Sequence, residues 1–180
     1  MVPTKIIISE QTRAQVAQLL GRQPRGLKEI VVNNAQGQPA VIRVASLVDE
    51  KPFPTLYWLI DPAVNYRIDQ EEASGLIARL QRKIDSSSEL QESMCQDHRE
   101  HMAKRDGYLS SADREAITRL GFHGVFKSRG IGGIADFTRI RCLHTWYAAH
   151  MVQANTIGKL LDTHWQAEPA LGDHAAPTCQ

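Results

Sequence analysis

The apolar residues of this chain change their period at Asp61. Before it, Leu27 to Val32, Pro39 to Val48 and Thr55 to Ile60 are short runs rich in Val, Ile and aromatic residues, suited to a pleated surface. After it, apolar residues recur at three and four positions, the period of a helix. A block of strands followed by a block of helices does not build the alternating units of a parallel sheet; it predicts an α+β fold. Asn33-Asn34-Ala35-Gln36-Gly37 is turn chemistry, so the first two runs form a hairpin, and the third extends it into an antiparallel meander. In Thr55–Ile60 the alternation sets Leu56, Trp58 and Ile60 on one face and Tyr57 and Leu59 on the other.

Local signals place the helices. Ser9 caps a helix over about residues 10–20, which Gly21 stops. Asp61-Pro62 is an N-cap followed by proline at the first helical position, opening a helix to about Lys83. The serines at 86–88 start a long polar helix from about Glu89 to Arg105, and Ser110 or Ser111 starts another that ends near Leu120. Residues 124–136, with four glycines, read as a loop. Helices over Phe137–Ala154 and Thr156–Trp165 complete the chain. The expected architecture is a small antiparallel three-stranded sheet covered by five or six helices. It forms one domain over residues 1–166, with a flexible tail over 167–180.

Charge and composition narrow the function classes. Lys plus Arg total 21 against 20 for Asp plus Glu, a net charge of +1, so the chain is not a strongly basic nucleic-acid binder. Cys95, Cys142 and Cys179 are too few and too scattered for a disulfide framework. No apolar run approaches the ~20 residues of a membrane span, and Ile6-Ile7-Ile8 is too short for a signal segment. The expectation is a cytoplasmic protein with neither membrane nor nucleic acid as partner. No nucleophile elbow, His-Glu-x-x-His or Cys-x-x-Cys motif is present.

Three segments carry polar residues in unusual places. On the helix Glu89–Arg105, Leu90 and Met94 share a face with Asp97, His98, His101 and Arg105. Burying those groups demands partners or a ligand. The second segment, Lys127-Ser128-Arg129-Gly130-Ile131-Gly132-Gly133, lies in a stretch with five basic residues against one acidic, Asp136. Glycine backbone N–H groups beside Arg129 can hold an anion. In the third, Arg141 to His150, His144 lies within an apolar stripe and His150 at its edge. At 100° per residue Cys142 and His144 point to nearly opposite sides, which argues against a shared metal.

Leu20-Gly21-Arg22-Gln23-Pro24-Arg25-Gly26, the run Pro52 to Leu59, the His98/Arg105 helix, Arg141-Cys142-Leu143-His144, Ala149-His150 and Asn155-Thr156-Ile157-Gly158 carry a resemblance over most of the chain to a bacterial family called domain of unknown function 501. The resemblance implies no established activity. Asn34-Ala35-Gln36-Gly37 stands where many relatives have a Cys-Pro-Cys-Gly turn, and Asp61 where they have a cysteine. If those cysteines hold a metal in the relatives, most of the thiolates are missing here.

These observations lead to one principal expectation: a pocket between the His98/Arg105 helix and the Cys142–His150 helix, binding a small anionic, phosphorylated ligand. In it His98 or His144 would act as general acid or base. Arg105, Arg129, Gly132, Gly133, His150 and Asn155 would bind the ligand. The alternative is a protein-interaction module with a purely structural polar cluster. The third reading is a metalloprotein, for which His98, His101 and Cys142 come nearest to ligand spacing. No metal and no other cofactor is expected on the first two readings.

Overall fold

The computed structural model describes residues 8–167. Strands β1 (Leu27–Asn33), β2 (Pro39–Val44) and β5 (Tyr57–Leu59) form an antiparallel sheet in the order β1-β2-β5. β3 (Leu47–Val48) and β4 (Lys51–Pro52) pair as a separate two-stranded ribbon. The α+β class and its three-stranded sheet are as expected. Register runs Leu27↔Val44 through Asn33↔Pro39 on one side of β2, and Val41↔Leu59 to Arg43↔Tyr57 on the other.

The central strand is apolar on both faces because both faces are covered. Val41, Tyr57 and Leu59 join the larger core with residues of the later helices. Ile42, Val44 and Ile60, of opposite parity, pack with Val16 of α1 (Glu10–Leu20). Trp58 and Ile60 therefore share one side and Tyr57 and Leu59 the other, as the alternation predicts, but Leu56, expected with Trp58 and Ile60, precedes β5 and packs in the larger core with Tyr57 and Leu59.

Eight α-helices are present among the described residues, because two elements depart from their sequence-predicted extents. Gly75, at φ 80°, ends the helix expected to reach Lys83, and separates α2 (Pro62–Ala73) from α3 (Leu76–Asp85). α4 (Ser88–Gly107) and α5 (Ser111–Arg119) follow, with Ser87 and Ser110 as caps; Ser110 and Asp113 form a capping box. The glycine loop contains α6 (His123–Ser128) and one 3₁₀ turn, Ile131–Gly133.

The helix expected from Phe137 starts only at Leu143, as α7 (Leu143–Val152). The segment before it is held out of helix by Gln81. That side chain donates to the Thr138 carbonyl at 2.9 Å and accepts from the Ile140 N–H at 2.9 Å, as a neighbouring backbone would. α8 (Thr156–Ala167) ends the described chain. The expected tail beyond it, and Cys179, lie outside the described residues. Among the described residues no helix is long and apolar enough to cross a membrane.

Candidate metal centre

The polar stripe of α4 is buried as its spacing predicts: Met94, His98 and Arg105 are fully inaccessible and His101 nearly so. Its groups face protein. His98 Nδ1 accepts from the Ile131 N–H at 2.9 Å, and the ring stacks on Phe137 with centroids 4.4 Å apart. Burial lowers His98 to about 4, and lowers His101, beside the Arg105 charge, to about 3. Both rings are therefore neutral near pH 7.

Among the described residues no carboxylate forms an ion pair with Arg105. Its guanidinium donates to the carbonyls of Pro54 (3.0 Å), Arg129 (2.7 Å) and Phe126 (2.6 Å). It thereby ties α4 to the segment before β5 and to the glycine loop. Both terminal nitrogens are committed to these carbonyls, and the side chain is shut off from solvent. The part given to Arg105 on sequence grounds, holding an anion, has no open face here.

The glycine loop is wedged between α4 and α7. A Cβ on Gly130 would stand 2.1 Å from His98 Nδ1, and one on Gly132 would stand 2.6 Å from Thr145 Oγ1. The Gly130 N–H donates to Ile134, the Gly133 N–H to Gly130, and the Ile131 N–H to His98. These glycines serve close packing, and these N–H groups are taken. Arg129 is exposed at the surface and lends its carbonyl to Arg105.

His150 and Asn155 form the α7–α8 corner. His150 Nε2 lies 3.0 Å from Asp162 Oδ2, and its Nδ1 accepts from the Asn155 N–H at 3.1 Å. Asn155 accepts from the Gly158 N–H at 2.8 Å, as an N-cap does, and donates to the Trp146 carbonyl at 2.9 Å.

His144 has different surroundings. Cys142 is not a helical residue: it is the N-cap of α7, with extended φ −155° and ψ 122°. The 100° rule does not apply to it, and the expectation that Cys142 and His144 diverge fails for that reason. Cys142 Sγ lies 3.6 Å from His144 Nδ1. Glu72, near the end of α2, places Oε1 3.3 Å from the same Nδ1 and accepts from the Leu143 N–H at 2.6 Å, where the helix N-terminus favours a negative charge. Asp69, one turn earlier on α2, is 3.2 Å from His144 Nε2. The hydrogen bond and charge of Cys142, with the Glu72 and Asp69 carboxylates, push His144 up to about 9.

One ligand atom from each of Glu72, Cys142 and His144 lies within 4.8 Å of the other two. Carboxylate, thiol and imidazole together are a donor set that suits zinc and its neighbours. Of the residues nearest to metal spacing on sequence grounds, Cys142 is in this group; His98 and His101 are on α4, outside it. Glu72 and Asp69 were not singled out in the sequence. Their one signal is a pair of carboxylates three apart on a helix, which share a face.

His144 also lines an open groove of about 340 Å³ with Leu20, Arg22, Thr55, Tyr57, Trp58, Leu59 and Thr145. The groove joins three of the segments that carry the resemblance: the Leu20–Gly26 run, the Pro52–Leu59 run and the Arg141–His144 run. A family model described as a protein of unknown function, DUF501, matches residues 30–163. The chain belongs to the DUF501 family. No curated protein and no solved structure matches it. Asn34, in the turn after β1, and Asp61, at the start of α2, lie side by side. The Asn34 amide donates to Asp61 Oδ2 at 2.8 Å, while Asp61 Oδ1 caps α2 through the Ala63 and Val64 N–H groups.

Proposed function

We propose that this DUF501 protein binds one divalent transition-metal ion of the zinc class, through Glu72, Cys142 and His144, in a catalytic type of site. The observation that carries the reading is the pairing of this three-ligand cluster with Asp69 on the far nitrogen of His144. With Nδ1 turned to the ion, Nε2 keeps its proton for Asp69, which fixes the tautomer and aims the ring. Three protein ligands leave a tetrahedral ion one position for water or substrate, as in catalytic zinc sites; structural sites use four. Of the three ligands, His144 also lines the groove. The surroundings suit such a site. α2 and α7 are held together by the Glu72–Leu143 bond, so Glu72 and His144 come from two tied helices and Cys142 from the cap between them.

The test is metal content and metal-dependent stability of untagged protein. After incubation with zinc and dialysis, elemental analysis should return about one equivalent. The thermal midpoint should rise, since an ion at about 1,000 times its dissociation constant adds ~4 kcal/mol to the folded state. Cys142→Ser and His144→Ala, checked by circular dichroism for retained fold, should lose both effects. Less than about a tenth of an equivalent in the native chain refutes the reading.

A further inference from the structure

We infer that the pocket between α4, α5 and α6 binds a small carboxylic acid with an apolar body, its carboxylate held by Arg114 and Lys127. The inference is independent of the metal centre.

Three helices each give one face to this pocket, whose volume is about 410 Å³. Met102 and Asp106 stand one turn apart on α4. Arg114, Ile117 and Thr118 occupy positions i, i+3 and i+4 of α5, and His123, Phe126 and Lys127 repeat that spacing on α6. Leu109, from the link between α4 and α5, completes the lining.

The apolar part of the lining is Met102, Leu109, Ile117 and Phe126. Ile117 and Phe126 are buried, and Met102 and Leu109 are half-buried. Phe126 is fixed by Arg105, which donates to its carbonyl at 2.6 Å and lies 5.3 Å from its ring centre. A preformed apolar cavity of this size suits a small organic molecule.

The polar part of the lining is unequal in charge: two permanent cations, Arg114 and Lys127, against one carboxylate, Asp106. Neither cation forms an ion pair among the described residues. Arg114 Nη2 donates to the Asp106 carbonyl at 2.6 Å, which positions the guanidinium and leaves its other donors for a ligand. Thr118 and His123 are occupied with each other. The Thr118 hydroxyl donates to the Arg114 carbonyl at 2.9 Å, so at 3.0 Å it accepts from His123 Nε2. One net positive charge beside an apolar lining matches a monoanion with an apolar body. A carboxylate accepts in-plane hydrogen bonds from the guanidinium and a further one from the ammonium. A phosphorylated head, with about −1.5 to −2 charges at pH 7, exceeds what the lining balances. Lys127 opens the basic glycine segment expected to hold an anion. The anion is thus placed where that segment ends α6, instead of at Arg129, Gly132 and Gly133.

Isothermal titration calorimetry of the full chain with phenylbutyrate, at fixed ionic strength, tests the inference. The acid should bind saturably to one site. Its amide, with the same body and no charge, should bind far more weakly, and acetate, which has the head alone, should show no measurable binding. Arg114 and Lys127 are exposed, so Arg114→Gln and Lys127→Gln should keep the circular dichroism of the parent. Each should weaken phenylbutyrate about tenfold, the loss of one charged hydrogen bond, and leave the amide unchanged. Thr118→Glu, which adds a carboxylate to the lining, should do the same. Zinc should alter none of these values, because the pocket shares no residue with Glu72, Cys142 and His144. Absence of saturable binding overturns the inference. So does equal affinity for acid and amide, or a parent-like affinity in both glutamine variants. Binding of the acid only when zinc is present places it at the ion and overturns the inference while supporting the metal centre.

Discussion

Replacing Arg105 should damage the fold rather than empty a binding site. Its side chain is fully buried and donates to three carbonyls, from the segment before β5, from α6 and from the glycine loop. Bonds from a charged donor each contribute about 1.5–3 kcal/mol, and each buried carbonyl left without a donor costs roughly 1–3 kcal/mol. Against this, Arg105→Ala relieves the desolvation cost of the guanidinium, which burial shows by lowering its pKa. The net loss expected is about 3–5 kcal/mol, the range for removing one partner from a buried charged arrangement. For a chain of this size it corresponds to a fall of roughly 6–20 °C in the thermal midpoint. Arg105→Met, which keeps much of the apolar stem, should lose nearly as much. Arg105→Lys should recover little, because one ammonium cannot reproduce the planar fork that reaches three carbonyls. Urea unfolding followed by circular dichroism measures the change. A loss below 1 kcal/mol in both Arg105→Ala and Arg105→Met would show that the three-carbonyl clamp does not hold the loop, and would reopen Arg105 as a ligand-binding group.

Two further predictions test the same packing. Burial lowers His98 to about 4 and His101 to about 3, whereas in the unfolded chain both take up protons near 6.5. Between pH 6.5 and about 4 the unfolded state therefore binds more protons, so stability is level above that window and falls as pH drops through it. The urea midpoint against pH should show this fall, at up to about 1.4 kcal/mol per unit for each ring, and His101→Phe should make it shallower; an unchanged slope would contradict the burial argument. At the α7–α8 corner, a Cβ on Gly158 would stand 2.0 Å from His150 Cγ, and that ring is fixed by Asp162 and Asn155. Gly158→Ala should cost about 1–3 kcal/mol through overpacking, with the thermal midpoint several degrees lower; a midpoint equal to that of the parent would mean the corner can yield.

Much of the local architecture follows from short-range chemistry. Asp61-Pro62 starts α2 because a carboxylate and a fixed φ suffice to begin a helix, and Ser110 with Asp113 starts α5 in the same way. The α4 stripe, Met94, His98, His101 and Arg105, is legible because helix geometry alone puts residues three and four apart on one side. The antiparallel sheet follows from a turn and an alternation. Where local signals compete with distant contacts, the tertiary structure decides. Phe137 to Cys142 has helical spacing, yet Gln81, far away in sequence, holds that stretch out of helix by bonding to its backbone. That one contact moves the start of α7 to Leu143 and makes Cys142 a cap instead of a helical residue. Its thiol is thereby turned toward His144. Glu72 and Asp69 reach the same imidazole only because α2 packs against α7, across some seventy residues of chain. The sequence by itself determined the three main strands, most helix starts and the buried stripe of α4, since these depend on near neighbours and on period. Which buried groups meet a partner and which meet an open groove was decided by the packing of helices distant in sequence, because a side chain's chemistry depends on the atoms brought against it.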